Sequence, residues 1–198
     1  MNNKNVQQFD KKLIKAVIGL GNPGSKHQKN RHNIGFRILD ALAKELGVTW
    51  QKGDKMEYAT VSFTDGPDGI AGQDGIAGAP RTLYLIKPQI FMNDSGLVMS
   101  FLQKKGIKPN EIIVAHDELE KHLGFISVSF GGSAKGHNGL RSIMGQVGQD
   151  FWHLRFGIGR PNEQDDVPRY VLSNFKPVEE IEVDELIEKS LMAIGFWA

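Results

Sequence analysis

The chain has 198 residues and a net charge of +1, with 40% hydrophobic and 24% charged residues, which is typical of one globular domain with a hydrophobic core. Cysteine is absent, which excludes disulfide bonds, thiolate metal ligands and cysteine nucleophiles. The sequence shows neither an apolar run of the roughly 18 residues that span a membrane nor a secretory signal, so we expect a cytoplasmic protein without a membrane partner.

After a polar N-terminal extension, residues 1–12, the first predicted element is a buried strand that runs into the glycine loop GLGNPG at 19–24. A helix is predicted next, because Ile34, Ile38 and Leu42 recur every four residues. The domain is expected to extend from residue 13 to residue 198.

An unusual repeat interrupts the following strands. The pentapeptide DGIAG occurs at 68–72 and again at 74–78, inside a stretch rich in glycine and aspartate. So short a repeat cannot bury a core of its own, and residues 64–81 are therefore predicted to form a flexible surface insertion between two strands.

The rest of the chain alternates strands with helices. Apolar runs predict strands at 82–86, 112–115, 125–130 and 154–158, and helices are predicted from about residues 95, 138 and 178. This alternation predicts the α/β class, as a single compact domain with a mixed, mostly parallel central sheet flanked by helices.

Polar side chains follow several of these strands at the point where each strand ends. They are Asn22, Asn93, Asp117 and Asn138, and His32 lies just before the first long helix. Ligands of such sheets bind beyond the carboxyl ends of the strands, so these groups could form a general-base site. Taken singly, each has a simpler interpretation, because histidine, aspartate and asparagine are common caps and turn residues.

Other chemistries fit the residues poorly. GLGNPG matches the dinucleotide pattern, but Pro23 interrupts the loop and the helix begins too late to place its N-terminus on a pyrophosphate. GGSAKG does not match the serine-hydrolase pattern, and the six histidines lack zinc-ligand spacing. A metal site at His116, Asp117 and Glu118 stays open at this stage.

Six motifs together resemble the bacterial-type peptidyl-tRNA hydrolase family, in the family's order and spacing. The motifs are GLGNPG at 19–24, RHNIG at 31–35, KPQIFMNDSG at 87–96, AHDEL at 115–119, GHNGL at 136–140 and LRFGIGRP at 154–161. The resemblance implies a monomeric α/β enzyme that needs no metal and no cofactor. It further implies that His32 activates a water molecule and that Asp117 orients and supports the imidazole.

The same resemblance implies a substrate-binding set. Asn22, Asn93 and Asn138 would position the peptide backbone and the 3′-terminal adenosine of peptidyl-tRNA, and Asn22 would help to distinguish blocked peptidyl-tRNA from free aminoacyl-tRNA. Phe91 and Met92 would line the same crevice.

This chain departs from the family pattern at the expected tRNA contacts. His27 stands where the family usually has tyrosine, and serines at 127 and 129 stand where a strand lysine is frequent. Resemblance assigns a phosphate contact to Arg155, and Lys135 is the nearest basic residue in sequence that could replace the missing lysine. The segment 121–160 has five basic residues against Asp150 alone, which fits a polyanion, although a solvated surface of mixed charge is the simpler interpretation.

Two other functions stay open at the level of the sequence. One is a noncatalytic RNA-binding relative that keeps the fold, and intact His32 and Asp117 argue against it. The other is an esterase that acts on another acylated RNA, because the bond broken would be of the same kind.

Overall fold

The computed structural model describes residues 8–63, 81–161 and 166–196. Within these ranges the strands are β1 Ala16–Gly19, β2 Gln51–Gly53, β3 Met56–Phe63, β4 Arg81–Pro88, β5 Ile112–Glu118, β6 Ile126–Phe130 and β7 Trp152–Gly157. The α-helices are α1 Ile34–Glu45, α2 Met99–Lys104, α3 Asn138–Val147, α4 Val167–Val171 and α5 Pro177–Ala193. The predicted insertion lies almost entirely outside the described residues.

One sheet joins the seven strands of the described ranges, in the order β2-β3-β4-β1-β5-β7-β6. The central strands β4, β1, β5 and β7 are parallel, whereas β2, β3 and β6 run antiparallel to their neighbours. The predicted single α/β domain with a mixed, mostly parallel central sheet is confirmed as a mixed sheet whose four central strands are parallel. Because β1 lies between β4 and β5, the loops that follow these three strands meet at one edge of the sheet.

Helices cover both faces of the sheet. Helices α1 and α5 pack with Val17 on one face, and α2 and α3 pack with Ile18 on the other, as the alternation of side chains along β1 requires. The predicted apolar positions Ile34, Ile38 and Leu42 of α1 are fully buried. Burial of each such side chain contributes about 1.5–3 kcal/mol to stability.

Two glycines let α1 approach the sheet closely enough to position the loop in front of it. A Cβ atom on Gly35 would collide with the main chain of Leu20 and Ala115, and one on Gly19 would collide with the main chain of Gly35. Any larger side chain would therefore push α1 away from β1 and β5. This contact holds residues 31–33 above the end of β5.

The expectation that the strand before Asn138 ends at the same edge of the sheet as Asp117 is wrong. Because β6 runs antiparallel to β7, with Phe130 opposite Trp152, β6 ends at the edge of the sheet away from Asp117. Residues 131–136 then return toward the edge of the sheet where Asp117 lies, so α3 still begins next to Asp117. Sequence patterns show where a strand ends but not its direction relative to its neighbours.

None of the helices in the described part of the chain combines the length and the hydropathy of a transmembrane segment.

Candidate active site

His32 lies in a short 3-10 turn, Arg31–Asn33, that leads directly into α1. Its Nδ1 donates a hydrogen bond to Oδ1 of Asp117 at 2.8 Å, near the carboxyl end of β5. Asp117 is only 4% exposed, so water screens this pair poorly. The bond fixes the proton on Nδ1 and leaves Nε2 as the nitrogen that can accept a proton.

A second histidine shares the same carboxylate oxygen. His137 lies 3.1 Å from Asp117 Oδ1 through its Nε2, and its Nδ1 accepts a hydrogen bond from the amide of Leu140. His137 is therefore the N-cap of α3, the role that the sequence suggested for Asn138. Its imidazole centre lies 4.7 Å from that of His32. His137 is not among the site residues predicted from the sequence. The GHNGL motif that contains it was identified, but the site role was assigned to its neighbour Asn138.

The charges of the cluster tune one another. Burial alone raises the pKa of the Asp117 carboxyl group, but the facing His32 and His137 lower it, and the result lies well below its ordinary value. Burial lowers the pKa of His32, but the charge of Asp117 and its hydrogen bond raise it, and the net direction is upward. Asp117 thus stays ionised and makes His32 a stronger base.

Main-chain and side-chain hydrogen bonds fix the position of Asn22. Its amide donates to Asn33 Oδ1 at 3.0 Å, and Asn33 Nδ2 donates back to the carbonyl of Asn22 at 2.8 Å. The side-chain oxygen of Asn22 accepts from the amide of Met92 at 2.9 Å. Among the described residues, Nδ2 of Asn22 has no acceptor, so its two N–H groups are available to a ligand.

These groups open into one cavity of about 290 Å³. Five of the residues that sequence and resemblance pointed to line it together with His32 and Asp117: Asn22, Met92, Asn138, Lys135 and Arg155. Val171 and Leu172 of the α4 region add an apolar wall.

The structure places the other three candidates outside this lining. Phe91 is 63% exposed and is the N-cap residue of the 3-10 segment Met92–Val98, and Asn93 within that segment is also exposed. His27 is half-buried, and its Nδ1 pairs with Asn30 Oδ1 at 2.8 Å.

Lys135, Arg155 and Glu118 form a cationic cluster at the far end of the cavity. Lys135 Nζ lies 3.2 Å and Arg155 Nε 3.5 Å from the same Glu118 oxygen, and Arg155 also donates to Ser129 Oγ. Glu118 is 5% exposed, so a buried carboxylate fixes the positions of both cations. The backbone φ of Lys135 is 45°, a left-handed conformation that few non-glycine residues adopt.

A buried pair of histidines supports the strand end. His116 Nδ1 donates to the carbonyl of Asp117 at 2.8 Å, so its Nε2 accepts from His153 Nδ1 at 3.1 Å. Burial and the charge of Arg155 lower the pKa of His153 to about 3, which keeps that ring neutral.

The suggested metal site at His116, Asp117 and Glu118 does not form, because His116 faces His153 and Glu118 faces the cations. The described residues do include one set with metal-ligand geometry, His32, Asp117 and His137, whose ligand atoms lie within 4.8 Å of one another. Two imidazoles and a carboxylate could bind a transition metal. In this structure the same atoms are hydrogen-bonded to each other. That arrangement suits general-base chemistry as well as it suits metal binding.

An imidazole that lines a cavity and is hydrogen-bonded to a buried carboxylate, with amide donors nearby, is an arrangement that could serve a hydrolase. A family model described as "Peptidyl-tRNA hydrolase" matches residues 16–198. The chain is 39% identical over 183 residues to a peptidyl-tRNA hydrolase of Syntrophotalea carbinolica, with 91% of this chain and 88% of that protein covered.

Further comparisons agree. A peptidyl-tRNA hydrolase of Mycobacterium bovis is 40% identical over 176 residues, with 88% of this chain and 85% of that protein covered. The crystal structure of peptidyl-tRNA hydrolase from Acinetobacter baumannii superposes with a TM-score of 0.80 at 32% identity and covers 92% of this chain and 87% of that one. The chain therefore belongs to the peptidyl-tRNA hydrolase family, which confirms the resemblance of its six motifs.

Proposed function

We propose that this protein hydrolyses the ester bond between a peptide and tRNA, with a water molecule activated by His32. Family membership and the similarity to solved peptidyl-tRNA hydrolases support peptidyl-tRNA as the substrate. One observation carries the mechanism: the 2.8 Å hydrogen bond from His32 Nδ1 to the buried Asp117 carboxylate. It leaves Nε2 at the cavity wall as the base.

In the proposed reaction, His32 Nε2 removes a proton from water while the water oxygen attacks the ester carbonyl carbon. The carbonyl electrons move to oxygen in a tetrahedral intermediate, which collapses and breaks the bond to the ribose oxygen. The imidazolium returns its proton to that oxygen, so the products are a peptide acid and tRNA with a free hydroxyl group. Asp117 stabilises the imidazolium, and a positioned general base contributes about 10²–10⁴-fold in rate.

Amide side chains supply the remaining electrostatic support. The N–H groups of Asn22, which have no acceptor among the described residues, can donate to the developing oxyanion or to the peptide carbonyl. Asparagine adds no charge that would disturb the pKa of His32. Contact with an acylated nitrogen rather than an ammonium group would also let Asn22 favour blocked substrates.

The tRNA would be recognised at its acceptor end. Arg155 and Lys135 carry positive charge at one end of the cavity and would bind a backbone phosphate. The exposed ring of Phe91 could stack on the 3′-terminal adenine, with Asn93 and Asn138 as hydrogen-bonding partners. His27 lies farther along the surface and would contact the tRNA only outside the cavity. We expect the protein to act as a monomer in the cytoplasm.

The direct test is release of an N-acetylated amino acid from tRNA, measured beside the same tRNA carrying the free amino acid. We expect rapid release from the blocked substrate and little from the free one. Binding of tRNA without release would instead indicate a noncatalytic RNA-binding protein. Release only from other acylated RNAs would indicate the alternative esterase.

A further inference from the structure

The 3-10 turn that carries His32 is tied to three different parts of the molecule. Three residues complete one turn of such a helix, so consecutive side chains point in directions about 120° apart. Asn33 is hydrogen-bonded to the main chain of Asn22, and His32 is hydrogen-bonded to Asp117. Arg31 packs instead against residues near the C-terminus, and the proposed mechanism gives it no role.

Aromatic rings and a carboxylate enclose the guanidinium group of Arg31, whose residue is 3% exposed. Its central carbon lies 4.6 Å from the centre of the Tyr170 ring and 4.7 Å from that of the Phe175 ring. Nη2 donates to Oε2 of Glu179, in the first turn of α5, at 2.8 Å. The Tyr170 hydroxyl donates to the carbonyl of Ile158 at 2.6 Å, so that ring is itself fixed.

The main chain joins the same two segments. The amide of Arg31 donates to the carbonyl of Ser173 at 2.9 Å, and Asn30 forms an isolated β-bridge with Asn174. The side chains of these two asparagines are also hydrogen-bonded, with Nδ2 of Asn30 donating to Oδ1 of Asn174 at 2.9 Å. The start of the turn is therefore held through both its main chain and its side chains.

Arg31 is a costly residue for packing alone. Within the part of the chain that the structure describes, its buried Nε and Nη1 have no hydrogen-bond partner. A buried ion pair often stabilises a protein no more than apolar side chains of similar size would. An arginine adds a planar group that stacks and pairs in one orientation. The benefit of arginine at this position is therefore geometry rather than stability.

We propose that Arg31 is a positioning residue for the general base, because it fixes the turn so that Nε2 of His32 stays at the wall of the active-site cavity. This inference rests on the proposed function. The hydrogen bond to Asp117 holds only one side of the imidazole, so the position of Nε2 also depends on how firmly the turn is held. A displacement of about 1 Å at a reacting group can lower a rate on the order of 100-fold.

The contact partners of Arg31 also flank part of the cavity wall. Val171 and Leu172, which lie between Tyr170 and Phe175 in the chain, form the apolar wall. A displaced base lowers kcat, whereas a loosened wall raises KM, because the wall can contact the substrate but takes no part in the reaction. Separate values of kcat and KM therefore distinguish the two roles.

The test compares Arg31→Met with Arg37→Met in the release of an N-acetylated amino acid from tRNA, with rates expressed per folded protein. Arg37 is a matched control, because it pairs with Glu180 of α5 at 2.8 Å and lies 5.8 Å from the Phe175 ring, but belongs to α1. In Arg31→Met we expect kcat to fall about tenfold to 100-fold, with KM within about threefold of the parent. Arg37→Met should keep both parental values.

Two further variants separate position from stability. Arg31→Met/Glu179→Gln removes both charges and keeps a side-chain oxygen that can accept from the amide of Lys176. We expect its unfolding temperature to be close to that of the parent and its kcat to be as low as that of Arg31→Met. Arg31→Lys keeps the charge but cannot stack as a planar group, so its kcat should fall severalfold.

The outcomes distinguish this inference from the proposed function. A parental kcat in Arg31→Met, or in Arg31→Lys if Arg31→Met does not fold, would overturn the positioning role and leave the hydrolase activity standing. A rise in KM alone would also overturn it, because Arg31 would then act on the cavity wall. An equal loss of kcat in Arg37→Met would do the same, because the effect would come from α5 and not from the turn. A parent that releases no amino acid would contradict the proposed function itself.

Discussion

The two ends of the active-site cavity use the same kind of anchor for different purposes. Asp117 and Glu118 are consecutive residues at the end of β5, and both carboxylates are buried. Asp117 faces the imidazoles of His32 and His137 and raises the pKa of His32. Glu118 faces the ammonium group of Lys135 and the guanidinium group of Arg155, so there it fixes the positions of two cations.

This difference indicates what each end can do. The histidine cluster, His32 with Asp117 and His137, can move protons because an imidazole can both accept and donate one, and Asp117 raises the pKa of His32. The cationic cluster can attract and orient negative charge, because the ammonium and guanidinium groups of Lys135 and Arg155 offer only hydrogen-bond donors. Substitutions at the first should therefore change rates and pH profiles, and substitutions at the second should change affinity and its salt dependence.

The largest effect is expected for His32→Ala. Loss of the general base should lower the single-turnover rate of ester cleavage by about 10²–10⁴-fold, with tRNA affinity largely retained. His122→Ala, at an exposed histidine away from the cavity, is the matched control. A His32→Ala rate within a few-fold of the parent would remove His32 from the role of base.

Asp117→Asn should lower the rate on the order of 100-fold, because an amide can hold the wrong tautomer and cannot offset the imidazolium charge. Asp117 raises the pKa of His32, so the acidic limb of the pH–rate profile should move to lower pH in this variant. Single-turnover rates across pH measure both effects. An unmoved acidic limb would mean that Asp117 does not set the pKa of the base.

Asn22→Asp keeps the oxygen that accepts from the Met92 amide but loses the N–H donors. Cleavage of the blocked substrate should fall about tenfold, with a smaller change in tRNA affinity, because one hydrogen bond to the reacting group is lost. Rates at saturating substrate measure the effect on cleavage, and binding constants of uncharged tRNA measure the effect on affinity. A large loss of affinity with a normal saturated rate would assign Asn22 to anchoring instead.

His137→Asn preserves a good N-cap for α3, whereas the shorter side chain no longer reaches Asp117. His137 donates a hydrogen bond to the carboxylate and so disperses its charge. Without it the full charge acts on His32, and the acidic limb should move to higher pH by up to about one pH unit. The shift is opposite in sign to that of Asp117→Asn. A shift in the same direction would show that His137 does not act through Asp117.

The smallest effects are expected at the cationic cluster. Lys135→Ala and Arg155→Ala should each weaken binding of all tRNAs alike and lower the salt slope by about one or less. The measurement is the binding constant of uncharged tRNA across a salt series, for both variants and their double. Lys104→Ala, on exposed α2, is the control. Parental slope and affinity in Lys135→Ala would leave the phosphate contact to Arg155 alone.

Local pattern predicted most of the elements around the site, but not α4, which contributes Val171 to the cavity wall. The four-residue spacing in α1 predicted its buried face, because one face of a helix recurs at that period. Strand ends predicted where Asn22 and Asp117 would lie, because parallel strands bring their carboxyl ends to one edge. The family's motifs directed attention to His32 and Asp117, which the structure joins at 2.8 Å.

The tertiary structure alone decided which groups share a partner. The convergence of His32 and His137 on one oxygen of Asp117 depends on a loop that returns from the antiparallel β6, and no local pattern encodes that direction. The pairing of Lys135 with Glu118 likewise depends on the left-handed backbone at Lys135 and on the position of β5. Helix period and strand alternation follow from the backbone geometry of residues that are close in sequence. Contacts between residues far apart in sequence follow from packing, which only the folded chain determines.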